Sequence, residues 1–352
     1  MGATLTLAAI IALQLPQPDT SLSTSPTHGI AFERLTDLLQ YNRVQGLSFG
    51  LGYQVPIPAT RGARLYGTIR YGLSDERVTG RLTALGRAAG GEIALSGYHD
   101  IDDLDHFSPG RSFANSLNGL FAGHDNGDYA LARGASARFG LPVRAGVELV
   151  LTARVHRLRS ISRVAGSAVN DFLGGSGRFP PNPPVEEGTF GGASAQLHGT
   201  GSVTWSLTAD VLGGGSRSTG RLFGEVRRAF GSGLGATVRV KAGASTEPGM
   251  PQTLFRLGGL HTVRGFEYGT LRAPAFWAGQ VDITPFDGRV RPVIFLDAGQ
   301  AADVSDLFST SALIGAGAGL SLLNGLLRFD LSRPISPDRD KMRFDVVIRS
   351  IR

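Results

Sequence analysis

The densest set of side chains that could hold a metal is His99-Asp100-Ile101-Asp102-Asp103-Leu104-Asp105-His106. The run has neither the central glycine nor the terminal glutamate of a calcium-binding loop, so it reads as a solvated acidic turn. The other histidines stand alone, as residues of a polar strand face do. Gly315-Ala316-Gly317-Ala318-Gly319 is superficially like a nucleotide-binding loop. No strand–helix–strand pattern surrounds it, and it reads better as a strand whose glycines lie on one face, where another group comes close to the backbone. There is no Walker A loop, no His-Glu-x-x-His and no Gly-x-Ser-x-Gly elbow. With no cysteine in the chain, disulfides, thiolate metal sites and a cysteine nucleophile are excluded as well. The expectation is a protein that is not an enzyme and carries no cofactor and no metal.

The elements that must position any remaining chemistry are strands. Apolar and polar residues alternate with period two, so each segment has one apolar and one polar face. In residues 46–56, Leu47, Phe49, Leu51, Tyr53 and Val55 share a face. In 203–211, Val203, Trp205, Leu207, Ala209 and Val211 oppose Thr204, Ser206, Thr208 and Asp210. A soluble sandwich would alternate too. A membrane barrel is favoured by polar faces that carry Arg, Thr, Gln, Asp and Glu within long strands joined by short turns. A hydrophobic content of 41% with 18% charge is too apolar for disorder, and no run of eighteen apolar residues supplies a helical span. The net charge is +6, but the arginines are spread along strands and form no tract, so nucleic acid is not an expected partner.

Sixteen strands can be read, near 43–56, 62–73, 77–87, 91–99, 115–123, 128–140, 144–157, 188–200, 202–212, 217–230, 233–245, 273–286, 289–300, 310–322, 325–333 and 341–351. An even number returns both ends to one side. Short turns at 74–76, 199–201, 231–233, 286–288 and 324–325 then share one side, and the long connections 158–187, 246–272 and 301–309 share the other. The long connection 100–114 falls on the wrong side, and the strand 115–123 rests partly on the hairpin signal Asp125-Asn126-Gly127. The proline-rich 179–184 reads as the tip of an outer loop. Leu5 to Leu15 is similar to the apolar core of a signal peptide, without a basic leader. The expected organisation is a signal peptide in 1–20, an N-terminal periplasmic segment in 21–42 and a transmembrane antiparallel β-barrel in 43–352.

Within this frame the informative stretch is Phe255-Arg256-Leu257-Gly258-Gly259-Leu260-His261-Thr262-Val263-Arg264-Gly265-Phe266, followed by a strand with Phe295-Leu296-Asp297-Ala298-Gly299. Leu-Gly-Gly, then Val-Arg-Gly-Phe, then Phe-x-Asp-x-Gly resembles the BamA/TamA outer-membrane superfamily, which includes two-partner-secretion transporters and the bacterial surface antigen barrels. The close match covers about residues 254–300. The resemblance implies that the loop carrying Leu257, Gly258, Gly259, Val263, Arg264, Gly265 and Phe266 folds back into the lumen. There Arg264 would pair with Asp297 and, less firmly, with Asp282, on an inner wall that also presents Phe295 and Gly299. Gly315, Gly317 and Gly319 would leave room for the loop. A sequestered guanidinium needs a carboxylate partner, and two-pronged geometry explains arginine in place of lysine. The plain alternative is an ordinary loop arginine. Two features depart from the family: the 42 residues before the first expected strand are too few for a POTRA domain, and the chain ends Ser350-Ile351-Arg352 without a terminal aromatic.

The resemblance implies a monomeric barrel in the bacterial outer membrane, surrounded by lipid and lipopolysaccharide, that inserts or translocates nascent outer-membrane or secreted proteins. From another class, a passive or structural barrel would use Arg64, Arg70, Arg81, Arg154 and Arg239 to line an anion-favouring lumen. A third reading, a secreted soluble sandwich, predicts solubility without detergent.

Overall fold

The computed structural model describes residues 28–348 except 33, 59, 61, 108–109, 232–233, 247–249, 287 and 338–340. The expected signal peptide and the last four residues lie outside the described residues. The chain is all-β, and every strand pair is antiparallel.

The wall begins with β1, an interrupted strand made of Gly29–Ile30 and Leu39–Asn42, both laid along Gly46–Pro56, which is β2. There follow β3 (Arg64–Gly72), β4 (Val78–Ala88), β5 (Gly91–Asp103), β6 (Tyr129–Arg144), β7 (Val147–Ser160), β8 (Gly188–Gly199), β9 (Val203–Gly214) and β10 (Arg217–Phe230). The remainder are β11 (Gly235–Ser245), β12 (Ala275–Thr284), β13 (Val290–Ala302), β14 (Leu313–Leu322), β15 (Leu327–Ser336) and β16 (Arg343–Ile348). Each strand pairs with the next, from β1 through to β16.

The alternation in sequence becomes outside and inside. On β13, Ile294 and Leu296 are half exposed on the outer surface, while Val293, Phe295 and Asp297 are buried. Phe49, Leu51, Tyr53, Ile69, Leu151, Val155, Leu207, Val211, Val240 and Leu320 are exposed in the same way, giving an apolar exterior on many strands. Such a belt is what a strand wall shows to hydrocarbon.

Several expectations are corrected. Residues 115–123 are not a strand. Phe113–Leu117 is helical (α2 below) and runs on as a π-helical turn over Asn118–Ala122. Ser112 caps this helix by accepting from the Asn115 amide at 3.1 Å, and left-handed Gly123 ends it. Asp125 and Asn126 do not turn a hairpin, because their side chain and backbone are engaged by Asn115 at 2.7 Å each. The missing stave is supplied by residues 29–42, which were assigned to a periplasmic segment. This stave is interrupted by the helical turn α1 (Leu35–Leu38), where the Asp37 carboxylate accepts from the Arg34 amide at 2.9 Å. The first strand expected at 43–56 accordingly begins only at Gly46. The two errors cancel in the count but invert every strand before residue 104. The turn at 73–77 therefore lies on the side of the long loops, and of the misplaced connection 100–114 the first residues lengthen β5 to Asp103 while the rest joins one long connection between β5 and β6 on that same side.

Candidate functional site: an inward loop and an unladdered seam

The loop between β11 and β12 turns into the barrel. It starts and ends in a small hairpin, Phe255–Leu257 paired with Leu271–Ala273. Phe255 and Phe276 lie 4.8 Å apart between ring centres, and Leu257, Val263 and Phe266 are buried in the same cluster with Phe223 and Leu313. Burying several large apolar side chains, at about 1.5–3 kcal/mol each, seats the loop against the inner wall. Gly258 and Gly265 take positive φ of 107° and 91°, which residues with a Cβ adopt only under strain. A Cβ on Gly265 would also lie 2.6 Å from the Arg333 carbonyl carbon. The ring closes where the Gly259 amide donates to the Phe266 carbonyl at 3.0 Å.

This ring presents Arg264 to the wall. Its Nε and Nη2 donate to Asp297 Oδ2 and Oδ1 at 2.7 and 2.6 Å, and its backbone amide donates to Oδ2 at 2.9 Å. Nη1 lies 2.9 Å from Asp282 and 3.4 Å from Asp330, and the guanidinium stacks 3.7 Å from the centre of the Phe295 ring. The structure thus brings together Arg264, Asp297, Asp282 and Phe295. It adds Asp330, Arg328 and Gln280, which sequence reasoning had missed. Arg328 joins Asp282 at 3.1 Å and Asp330 at 2.5 Å, so two guanidiniums share three carboxylates. The signal for them was present: Arg328 and Asp330 alternate inward around Phe329.

The three glycines of β14 make room in three different ways. A Cβ on Gly315 would run into the Arg264 carbonyl oxygen, one on Gly317 into the Phe295 ring, and one on Gly319 into the Asp330 carboxylate. Only Gly315 faces the returning loop directly. Gly299 lies under Leu257 and Val263, at 3.0 and 3.1 Å from the position of a Cβ.

A second charged knot ties this loop to the 104–128 loop. Buried Asp128 takes Arg43 at 2.6 Å, Arg256 at 2.7 Å and Arg272 at 3.3 Å. Burial pushes its carboxyl upward, but the guanidiniums of Arg256, Arg272 and Arg43 outweigh that and hold it below the usual carboxylate range. The acidic run is not a solvated turn either. Asp100 pairs with Arg111 at 2.8 Å, Asp103 accepts from the Gly110 amide at 2.7 Å, and Asp105 accepts from the Tyr268 hydroxyl at 2.9 Å. Among the described residues no group of three His, Asp or Glu is disposed to hold a metal ion. Of the inward arginines, Arg70 donates to Gln40 at 2.5 Å, Arg81 lies 3.9 Å from Asp100 and Arg239 3.0 Å from Glu225.

The ends of the wall meet differently from its interior. Among the described residues no ladder of paired residues joins β1 to β16. α2 and the π-helical turn that continues it contact both end strands.

Among the described residues, sixteen antiparallel staves surround an inward loop held by an arginine, a barrel fold of the BamA kind. The chain superposes on BamA from Haemophilus ducreyi lacking POTRA domains 1–3 with a TM-score of 0.59 at 13% identity, covering 97% of this chain and 81% of that one. CdiB from Acinetobacter baumannii gives 0.51 at 12% identity and 88% of this chain, which spans 57% of CdiB's length. No curated protein matches. A family profile described as the C-terminal domain of a family of unknown function, DUF5686, matches residues 19–200, more than half of the chain. The protein belongs to that family.

Proposed function

We propose that this protein is a bacterial outer-membrane barrel that helps polypeptides insert into, or cross, that membrane through the break between β1 and β16. The observation that carries the reading is this unladdered seam. Among the described residues every other neighbouring pair of staves is joined by a ladder, interrupted in β1 by its helical turn, so the wall is weakest where its ends meet. An edge with unpaired backbone groups is a template for another strand. The inward loop braces the staves beside it: Arg264 binds β12, β13 and β15 together through Asp282, Asp297 and Asp330, which keeps the wall next to the seam rigid while the seam itself moves. The apolar exterior supports lipid and lipopolysaccharide as its surroundings. An anion channel is less favoured, because Arg81 and Arg239 have acidic neighbours and the loop occupies lumen space.

The test is acceleration of folding. The purified barrel in liposomes would be mixed with a urea-denatured eight-stranded outer-membrane barrel, and folding followed by heat-modifiable gel mobility. At least tenfold faster folding than in empty liposomes is expected. Folding at the protein-free rate, together with steady anion-selective conductance in planar bilayers, would overturn the reading in favour of a channel.

A further inference from the structure

The backbone groups that a β1–β16 ladder would satisfy are met instead by side chains of the 104–128 loop. On the β16 side, the Asn118 amide makes a reciprocal pair with one residue: the Val346 amide donates to Asn118 Oδ1 at 2.6 Å, and Asn118 Nδ2 donates to the Val346 carbonyl at 2.8 Å. This is the exchange of two hydrogen bonds that a directly opposite residue of an antiparallel strand would make. His124 Nδ1 lies 3.5 Å from Asp345, and Arg343 Nη2 donates to Asn126 Oδ1 at 3.3 Å, so the contacts follow β16 upward. On the β1 side, the Tyr41 amide donates to Ser116 Oγ at 3.1 Å and the Arg43 amide to Asp125 Oδ2 at 2.7 Å. Asn118 is fully buried and opens the π-helical turn, a local widening that recurs where a helix does more than pack.

We propose that residues 112–126 are an internal staple that closes the seam by imitating a strand on the free edge of β16, and that an extended β-strand arriving from another polypeptide displaces it. The identity of the occupant rests on the insertion reading above; the staple does not. A side-chain amide offers one donor and one acceptor, the same pair as a peptide unit, so exchanging Asn118 for a strand residue conserves hydrogen bonds at Val346. A strand offers several such pairs, and the staple offers one reciprocal pair plus longer side-chain contacts. The edge is therefore covered against idle pairing yet open to competition by a strand.

The experiment uses the full chain in lipid nanodiscs. Asn118→Leu keeps the side chain's size and removes its hydrogen bonds. Hydrogen exchange in 343–348 should rise at least tenfold while exchange in β14 is unchanged; wild-type exchange in 343–348 overturns the staple. A fluorescein-labelled peptide with the sequence of residues 46–56, a segment that pairs in this sheet, should bind Asn118→Leu at least tenfold more tightly than wild type. It should fail to bind a variant closed by an oxidised Asn118→Cys/Val346→Cys pair, which is clean because the chain lacks cysteine. Raised exchange without peptide binding overturns β16 as a docking edge. Should Asn118→Leu not fold, Ser116→Ala, which frees only the β1 side, is expected to raise exchange of Tyr41, and unchanged exchange there overturns the proposal. None of these readouts uses client folding, so a failed acceleration assay would leave them standing.

Discussion

Arg264 and Asp297 face each other with both prongs engaged, at 2.7 and 2.6 Å, and the arginine's own backbone amide adds a third bond to the same carboxylate. One carboxylate therefore fixes both the side chain and the backbone of the loop. Removing Arg264 leaves Asp297 buried without its cation, which costs about 3–5 kcal/mol, whereas removing Asp297 leaves Arg264 with Asp282 and Asp330 alone. Asp297→Ala should lower the midpoint of heat-modifiable unfolding in detergent more than Arg264→Ala does, because it strands two donors of the guanidinium and the amide. Arg264→Lys should fall between wild type and Arg264→Ala, since an ammonium cannot bridge both oxygens and Asp282 together. If the double variant Arg264→Ala/Asp297→Ala loses the full sum of the two single losses, the pair is not coupled and the bracing argument is lost.

The glycines of β14 make a steric prediction that is independent of charge. Gly315→Ala places a methyl against the Arg264 carbonyl oxygen, so the loop must lift off the wall. Trypsin should then cut after Arg256 or Arg264 in the folded barrel, where the wild type resists. Gly279, with nothing within 4 Å of a Cβ, is the matched control, and Gly279→Ala should leave cleavage unchanged. Equal resistance in both variants would show that the loop does not need the gap.

How much of this was legible follows the physics of each signal. Strand faces were readable because period two is enforced by the pleat, and lipid outside with water inside keeps that pattern clean from β2 to β15. The Arg264–Asp297 pairing was open to reading from motif order, and Asp330 and Arg328 could have been found from their inward phase. The seam was not legible. Residues 29–42 carry a helical turn that breaks the alternation, and 113–122 is a short helix capped by Ser112 and Gly123, next to an Asp125-Asn126-Gly127 stretch that has the look of a hairpin turn. The two segments meet through Tyr41–Ser116, and the second meets β16 through Asn118–Val346; no local pattern records a contact between residues 228 apart.

The loop histidine gives a pH dependence with a definite sign. Burial, helped by the cations of Lys241 and Arg239, pushes His261 from its ordinary 6.5 down to about 3. A group that is neutral in the seated loop but would protonate when released favours release as pH falls from 6.5 toward 3, and contributes nothing to that balance above 6.5. A spin label on exposed Glu267→Cys should thus gain mobility between pH 7.5 and 5. His261→Gln should remove most of that change. A label equally immobile at both pH values would show that His261 stays neutral without cost to the loop, and the burial argument would fail.

The last prediction concerns the outside of the wall. Leu296 lies near the middle of β13, 54% exposed, with Val281 and Ala316 as its neighbours on either side. If that surface faces hydrocarbon, a cation there must be drawn out of water, at about 2–4 kcal/mol near the bilayer centre. Leu296→Arg should therefore lower folding stability in liposomes by that amount, while in plain buffer an exposed leucine-to-arginine change would be harmless. Ser206→Arg supplies the opposite case. Ser206 borders a lumen cavity of about 420 Å³ shared with Thr152, Gln196, Thr208 and Glu225, where an arginine finds water and acidic neighbours, so its loss should be under about 1 kcal/mol. Folding of Leu296→Arg in liposomes with wild-type stability would mean that the exterior does not meet lipid. A water-soluble sandwich would then explain the alternation better than a barrel, and both the seam and its staple would have to be reread as features of a soluble edge.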